Sequence, residues 1–268
     1  MTILEAILLG FLQGVAEFLP ISSSGHLAFV EAFLGRQDVP ILFDILLHVA
    51  TLAAVITVYA RKIGQLFCVL WRFIIQKKRP EDAGDLKFIL AIIVATVFTG
   101  AIGFLLKDIV RNLHLSIVSC LFIVTGLVLI LSEKTKSDKN DPEPNLKQAS
   151  IIGIAQGLGV FPGISRSGST IAAAILCGVD RKKAGEFSFI LSIPAILAAL
   201  MLELSSADNL LSSVGILPVI AGFITAFIVG LFSLKFLLRL INKGKLKYFA
   251  FYLIPLGAGL FVYFTFFA

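Results

Sequence analysis

Long apolar stretches recur from one end of the chain to the other, and the polar residues are gathered into the segments between them. Six of these stretches show no period-two alternation, and each approaches the roughly 20 residues that a helix needs to cross a bilayer core. They comprise residues 41–60, 88–106, 115–131, 187–204, 216–234 and 249–267. Since membrane barrels need short alternating strands, the pattern predicts an all-α polytopic membrane protein with six complete spans.

The composition agrees with this prediction. Of the 268 residues, 58% are hydrophobic and 15% are charged, whereas ordinary soluble domains have about 45–50% and about 25%. The first 18 residues have no basic start and contain Glu5, Gln13 and Glu17, so we expect them to be retained rather than cleaved as a signal peptide. The three cysteines are scattered through the chain, which favours neither a disulfide framework nor a thiolate metal site.

The basic residues are concentrated in four of the connections between apolar stretches. Segments 59–85, 133–147, 179–185 and 235–247 hold six, four, three and five lysines and arginines, whereas the other connections hold few. Rich and poor connections alternate as six spans require, so the positive-inside rule places the basic ones in the cytoplasm and both termini outside. The net charge of +6 is therefore explained by basic loops that set the orientation in the membrane and contact anionic lipid. Nucleic acid is not an expected partner.

The chain contains an internal repeat. Residues 10–25 align without a gap to residues 153–168, at an offset of 143 positions and with eight identities. A second match, at an offset of 144, relates residues 43–54 to residues 187–198. Each copy is a broken apolar segment followed by three spans, and this odd number of crossings inverts the second copy relative to the first.

The repeat predicts the organisation of the whole chain. The first half covers residues 1–132, a cytoplasmic linker covers 133–146, and the second half covers 147–268. Each half opens with a segment broken by glycine, serine and proline, at 1–34 and at 147–178. Irregular backbone cannot face lipid, because its N–H groups would go unpaired. We therefore expect two re-entrant helical hairpins whose tips meet near the bilayer midplane, where two helix starts favour an anion.

The two copies differ in a complementary way at the tips. Glu17, Ser23 and His26 of the first copy are replaced in the second by Val160, Arg166 and Ser169. Ionisable residues within apolar sequence are costly and mark functional sites. Glu17, His26 and Arg166 are therefore the leading candidates for chemistry.

The segment 165–170 gathers a guanidinium, four hydroxyls and the amides of a helix start in six residues. This composition is typical of phosphate binding. For the hydroxyls alone, capping of the helix is the simpler interpretation. An arginine within apolar sequence favours the anion.

Several roles are open to the side chains of the first copy. Gln13 and Glu17 share one face if residues 8–18 are helical, and a carboxylate near phosphate must hold a divalent cation or act as a base. For Gln13, a helix-packing hydrogen bond is the alternative. His26 could exchange a proton with a serine, protonate a leaving group or attack phosphorus itself. His48 and His114 lack such neighbours in sequence and are expected to be ordinary satisfied polar residues.

These segments resemble the signatures of bacterial undecaprenyl pyrophosphate phosphatases, a family also called bacitracin-resistance proteins. The resemblance rests on Gln13-x-x-x-Glu17, on Ser-Ser-Ser-Gly-His at 22–26 and on Pro-Gly-Ile-Ser-Arg-Ser-Gly-Ser-Thr at 162–170. Length and span order also fit, so the resemblance covers essentially the whole chain.

The resemblance implies an undecaprenyl-diphosphatase of the bacterial inner membrane. Such an enzyme hydrolyses the C55 isoprenyl pyrophosphate to the monophosphate carrier and inorganic phosphate, which recycles the carrier lipid of cell-wall synthesis. The site would open toward the extracytoplasmic face and use a divalent cation, Mg²⁺ or Ca²⁺. The expected partners are the polyprenyl pyrophosphate and membrane lipids, with a homodimer as a further option.

Site residues also follow from the resemblance. Glu17, Ser23, His26 and Arg166 correspond to catalytic positions, with Ser23 as nucleophile activated by His26 or Glu17. His26 itself, or a water activated by Glu17, is an open alternative to the serine.

The same resemblance assigns a phosphate site and a cation site. Ser165 and Thr170 would bind phosphate together with Arg166. Ser167, in the same hydroxyl-rich segment, is a further phosphate-binding candidate. Many family members have glutamate where this chain has Gln13, which can offer its carbonyl to a cation beside Glu17 but cannot act as a base.

A membrane transporter or lipid-carrier flippase is the competing hypothesis. Inverted repeats with broken helices are transporter architecture. The asymmetric set of a carboxylate, a hydroxyl, an imidazole and a guanidinium instead favours a reaction centre.

Overall fold

The computed structural model describes residues 1–34, 41–77, 79–111, 113–135, 143–204 and 215–267, and every regular element within these ranges is helical. The helices are α1 (Ile3–Ala16), α2 (Ser23–Leu34), α3 (Ile41–Val58), α4 (Ala60–Ile74), α5 (Ala83–Arg111), α6 (Leu115–Lys134), α7 (Leu146–Leu158), α8 (Arg166–Leu176), α9 (Arg181–Leu204), α10 (Ile216–Asn242) and α11 (Ala250–Phe266). Single 3₁₀ turns, Pro80–Asp82 and Leu246–Phe249, precede α5 and α11. The all-α class is confirmed. The middle of the predicted linker, at 136–142, lies outside the described residues.

Four helices of the described part are long and apolar enough to cross a membrane. These are Pro80–Val110, Leu115–Lys134, Ile216–Asn242 and Leu246–Phe266. A fifth span is reached if α3 and α4 are counted together, although a bend of 79° separates them. The remaining predicted stretch, 187–204, lies within α9. The protein is therefore a multi-pass membrane protein, and the total of six spans stays a prediction.

The two broken segments begin with the same helix cap. At the start of α1 the Thr2 hydroxyl accepts from the backbone N–H of Glu5 at 3.2 Å, and the Glu5 carboxylate accepts from the N–H of Thr2 at 2.9 Å. At the start of α7, 143 positions later, Asn145 and Gln148 form the same pair of bonds at 2.9 and 2.8 Å. Such a capping box pairs N–H groups that a helix start otherwise leaves free. The two segments thus begin with the same local structure, although the residues that form it differ.

Each helical hairpin packs against the other half of the chain. Helix α1 lies on α10, and its repeat mate α7 lies on α5. A Cβ atom on Gly10 would lie 2.4 Å from the carbonyl oxygen of Gly222, and one on Gly153 would lie 2.4 Å from that of Ala95. Only glycine allows two backbones to approach this closely. The reciprocal packing is what an inverted repeat requires, while the inversion itself stays a prediction.

The four basic connections come together at one end of the helices. The ion pairs that join them are Lys62 with Glu186 at 3.6 Å, Lys183 with Glu143 at 2.9 Å, and Lys247 with Glu133 at 3.5 Å. This grouping agrees with a location of all four connections on one side of the membrane. The cytoplasmic location of that side stays a prediction.

Candidate active site

The tips of the two hairpins bind one another directly. The hydroxyl of Ser22 accepts a hydrogen bond from the N–H of Gly163 at 3.0 Å, and the hydroxyl of Ser167 donates to the carbonyl oxygen of Phe18 at 3.0 Å. The Thr125 hydroxyl of α6 donates to the Gly163 carbonyl at 2.8 Å and so supports the second tip. The tips meet as the sequence predicts, and their depth in the bilayer stays a prediction.

A left-handed residue shapes the first tip. Ser22 has a φ of 69°, a conformation that L-residues seldom adopt. Besides the bond to Gly163, its hydroxyl accepts from the N–H of Gly25 at 3.4 Å, which fixes the turn. The turn places Ser23 at the first position of α2, within reach of Glu17 at the end of α1.

Glu17 is the centre of the hydrogen bonds at the tips. Its Oε2 accepts from the Ser23 hydroxyl at 3.0 Å and from the side-chain amide of Gln13 at 3.1 Å. Its Oε1 accepts from the guanidinium of Arg166, which forms an ion pair with it across the two halves. Only 7% of the Glu17 side chain is exposed. Three predicted site residues, Glu17, Ser23 and Arg166, are thus in direct contact.

Arg166 keeps part of its fork available. It opens α8, and among the described residues only its Nη2 is hydrogen-bonded. A quarter of its side chain is exposed. Because the guanidinium carries five N–H groups in a planar fork, Nε and Nη1 can bind an anion without breaking the contact with Glu17.

The hydroxyls of the second tip serve the protein framework as well. Ser165 caps α8 by accepting from the N–H of Gly168 at 3.1 Å, and it lies 3.2 Å from the hydroxyl of Ser167. Thr170 bonds to the Arg166 carbonyl at 2.5 Å and to the hydroxyl of Ser188 at 2.7 Å. Capping is therefore an observed role of Ser165, and Thr170 bonds within α8 and to α9. Phosphate binding stays a prediction for these hydroxyls.

A narrow cleft opens beside the Glu17–Arg166 pair. Its polar wall includes Thr51, Gln156, Thr170 and Ser188, and its apolar wall includes Phe18, Val55, Phe189 and Ile196. Ser188 and Thr51 belong to α9 and α3, and neither was predicted as a site residue. Ser23 and His26 do not line this cleft.

His26 lies on α2, three residues after Ser23, but it is bonded elsewhere. Its Nδ1 lies 2.8 Å from the carbonyl oxygen of Ser22, and its Nε2 lies 2.8 Å from the hydroxyl of Tyr252 on α11. Its ring packs 4.9 Å from the ring of Phe122. The structure therefore places His26 next to Ser23 on α2 without a hydrogen bond to Ser23 or Glu17. No sequence motif indicated Tyr252.

His48 of α3 also lies close to Glu17. Its Nε2 lies 3.6 Å from Oε2 of Glu17, and its Nδ1 lies 2.8 Å from the backbone carbonyl of Asp44. It therefore lies beside the Glu17 carboxylate, and its expected role as an ordinary satisfied polar residue stays a prediction. His114 has the expected framework role, because its ring accepts from the N–H of Ser116 at the start of α6.

The oxygens of Gln13 and Glu17 are too few to enclose a cation by themselves. They fit a cation whose remaining ligands come from the substrate and water. Among the described residues no group of three His, Cys, Asp or Glu side chains could hold a metal ion. The carbonyl oxygen of the Gln13 side chain is buried without a hydrogen-bond partner in the described part, beside the Glu17 carboxylate. Mg²⁺ commonly takes one or two protein oxygens and completes its shell with water and substrate phosphates. Gln13 and Glu17 can supply those oxygens.

Known proteins match this chain along its whole length. The family model described as Bacitracin resistance protein BacA matches residues 6–259. The undecaprenyl-diphosphatase of Treponema denticola is 63% identical over 268 residues, which is 100% of both chains. That of Borrelia hermsii is 41% identical over 98% of this chain and 99% of its own. That of Carboxydothermus hydrogenoformans is 39% identical over 96% of each chain.

Proposed function

The chain belongs to the BacA bacitracin-resistance family, and from this premise we propose that Glu17, Ser23, His26 and Arg166 carry out its undecaprenyl-diphosphatase reaction. The protein is a hydrolase that converts undecaprenyl pyrophosphate to the monophosphate and inorganic phosphate. The observation that carries the site assignment is the contact of Glu17 with both the Ser23 hydroxyl and the Arg166 guanidinium.

In the proposal, Arg166 binds the terminal phosphate of the substrate. Arg166 is the first residue of α8, so its free N–H groups lie at the start of that helix. A phosphate bound there interacts with the guanidinium, with backbone amides and with the helix dipole. A phosphate bound through Nε and Nη1 leaves Nη2 of Arg166 on the Glu17 carboxylate. Glu17 also keeps its hydrogen bond from Ser23 when the substrate binds.

Glu17 then serves as the base for Ser23. The proton of the Ser23 hydroxyl passes to Glu17, the serine oxygen bonds to the terminal phosphorus, and the bond from that phosphorus to the bridging oxygen breaks. Undecaprenyl monophosphate leaves and takes up the proton from Glu17. Water then attacks the phosphoserine, one of its protons returns to the serine oxygen, and inorganic phosphate is released. The 3.0 Å contact between Ser23 and Glu17 supports this route over attack by His26, whose Nε2 is bonded to Tyr252. The role of His26 in the proposal is to hold the turn that presents Ser23, through the 2.8 Å contact of its Nδ1 with the Ser22 carbonyl.

We propose Gln13 and Glu17 as the protein ligands of a divalent cation, Mg²⁺ or Ca²⁺. The unpaired carbonyl oxygen of Gln13 beside the Glu17 carboxylate supports this assignment. When bound, such a cation supplies positive charge that neutralises the pyrophosphate oxygens.

The proposed location is the bacterial inner membrane, with the site open to the extracytoplasmic side. The four basic connections, grouped at one end of the helices, support this orientation because basic loops are retained in the cytoplasm.

Phosphate release by the purified protein tests the proposal. With a long-chain polyprenyl pyrophosphate and Mg²⁺ or Ca²⁺ in detergent, we expect Arg166→Ala and His26→Ala to fold but to lose roughly 100-fold or more in rate. Ser24→Ala is the matched control, because Ser24 is exposed in the same turn. Release that survives Arg166→Ala removes the phosphate-binding role. Failure of the wild type with every cation favours the transporter hypothesis.

A further inference from the structure

Tyr252 contacts a proposed catalytic residue from a distant part of the chain. It lies on α11, 226 positions after His26, and its hydroxyl is 2.8 Å from Nε2 of the imidazole. The two rings are nearly parallel, at 12°, with centroids 5.8 Å apart. Tyr252 is about half exposed, so it lies between His26 and the outside of the helix bundle.

The other ring nitrogen fixes the protonation pattern of neutral His26. A backbone carbonyl can only accept a hydrogen bond, so the 2.8 Å contact with Ser22 places the proton on Nδ1. In the neutral ring Nε2 then carries the lone pair and can only accept. The Tyr252 hydroxyl must therefore donate to it.

Three neighbours fix the orientation of the imidazole. The ring centroid of Phe122 lies 4.9 Å from that of His26, Ser22 binds Nδ1, and Tyr252 binds Nε2. Ser22 also forms the turn that presents Ser23 to Glu17. The same tip thus sets the positions of both the proposed nucleophile and the imidazole.

We propose that Tyr252 is a positioning residue that holds His26 in its working orientation through Nε2. The inference rests on the role of His26 in the proposed function. Tyr252 acts through the imidazole and needs no contact of its own with the substrate.

The kinetics of single and double variants test whether Tyr252 acts on the reaction through His26. We expect Tyr252→Phe, which keeps the ring and removes the hydroxyl, to lower kcat by about five- to tenfold with KM unchanged, the effect of one hydrogen bond. In the His26→Ala background the same change should cost nothing further, because the interaction is already lost. An equal loss in both backgrounds, or a change confined to KM, would overturn the proposal.

Tyr263→Phe is the matched control. Tyr263 lies on the same helix, and its ring packs on Phe33 and Phe264. Tyr263→Phe should leave kcat unchanged. A loss equal to that of Tyr252→Phe would show a general effect of α11 and contradict the proposal.

A spectroscopic measurement tests the hydrogen bond between Tyr252 and His26 independently of the proposed phosphatase activity. With ¹⁵N-labelled histidine, the Nε2 resonance of His26, assigned by its loss in His26→Ala, should shift in Tyr252→Phe while Nδ1 stays protonated. This result is expected even if the protein fails to hydrolyse the substrate used. An unmoved Nε2 resonance would refute the hydrogen bond.

Discussion

Arg166 and Glu17 are 149 positions apart in the chain and form an ion pair where the two hairpin tips meet. The carboxylate belongs to the first half and the guanidinium to the second. In each half alone, one charged side chain would lie in an apolar environment without its partner. An unpaired charge there costs free energy. The proposed site therefore exists only when both halves are folded together.

Removal of one member of this pair should destabilise the protein as well as inactivate it. Arg166→Met leaves the nearly buried Glu17 carboxylate uncompensated, which costs about 3–5 kcal/mol in comparable buried pairs. Thermal unfolding in detergent should show a clear fall in Tm. The double variant Glu17→Gln with Arg166→Met should regain most of the Tm and none of the activity. A double variant as unstable as Arg166→Met would contradict the ion-pair explanation.

The close contacts of α1 with α10 and of α7 with α5 should make the stability of the protein sensitive to substitution of Gly10 and Gly153. Gly10→Ala and Gly153→Ala each place a Cβ 2.4 Å from a backbone carbonyl oxygen, and we expect each to cost about 1–3 kcal/mol through forced separation of the helices. Gly100→Ala on α5 is the control, because a Cβ there meets nothing within 4 Å.

The control variant should be slightly more stable than the wild type, since alanine is the better helix former by about 0.5–1 kcal/mol. Thermal unfolding distinguishes these outcomes. Equal Tm values for Gly10→Ala and Gly100→Ala would contradict the close packing.

The sequence predicted the parts of the site that lie within the repeat. The offset of 143 positions located both hairpins, and the complementary differences identified Glu17, Ser23 and Arg166, which the structure brings into contact. Tyr252 and His48 escaped prediction because they come from α11 and α3, outside the repeated tips. Their contacts depend on how those helices are rotated about their axes, which a pattern of apolar residues does not specify.

A pH-dependent contribution to stability is expected at the basic end of the helices. Burial alone would lower the pKa of Lys183, but its hydrogen bond to Glu143 and the charges of Glu143 and Glu186 outweigh burial and raise the pKa above its ordinary value of 10.5. A raised folded-state pKa gives stability that is complete below the unfolded value and is lost as pH rises through the folded value. The pair should therefore stabilise the protein at neutral pH and fail only in strong alkali.

Lys183→Met tests that expectation. It should lower the Tm at pH 8, and the difference from wild type should shrink above about pH 10.5. Lys182→Met, at the exposed neighbouring position, should leave the Tm unchanged at both pH values. A difference from wild type that stays constant with pH would contradict the charge-based explanation.

The cation requirement should depend on Gln13. Gln13→Glu adds a second carboxylate beside Glu17, so half-maximal activity should need less Mg²⁺, whereas Gln13→Leu should need more. Titration of phosphate release with Mg²⁺ after treatment with EDTA measures both effects. An unchanged Mg²⁺ dependence in Gln13→Leu would remove Gln13 from the proposed cation site.

The most direct test of the central claim, that Glu17 activates Ser23 for attack on a phosphate held by Arg166, is phosphate release by Ser23→Ala compared with Ser24→Ala. The two serines are adjacent in the first tip, and only Ser23 donates to Glu17. We expect Ser23→Ala to lose roughly 100-fold or more in kcat and Ser24→Ala to keep near-wild-type activity. Retention of activity by Ser23→Ala would rule out the serine and assign the nucleophile to His26 or water.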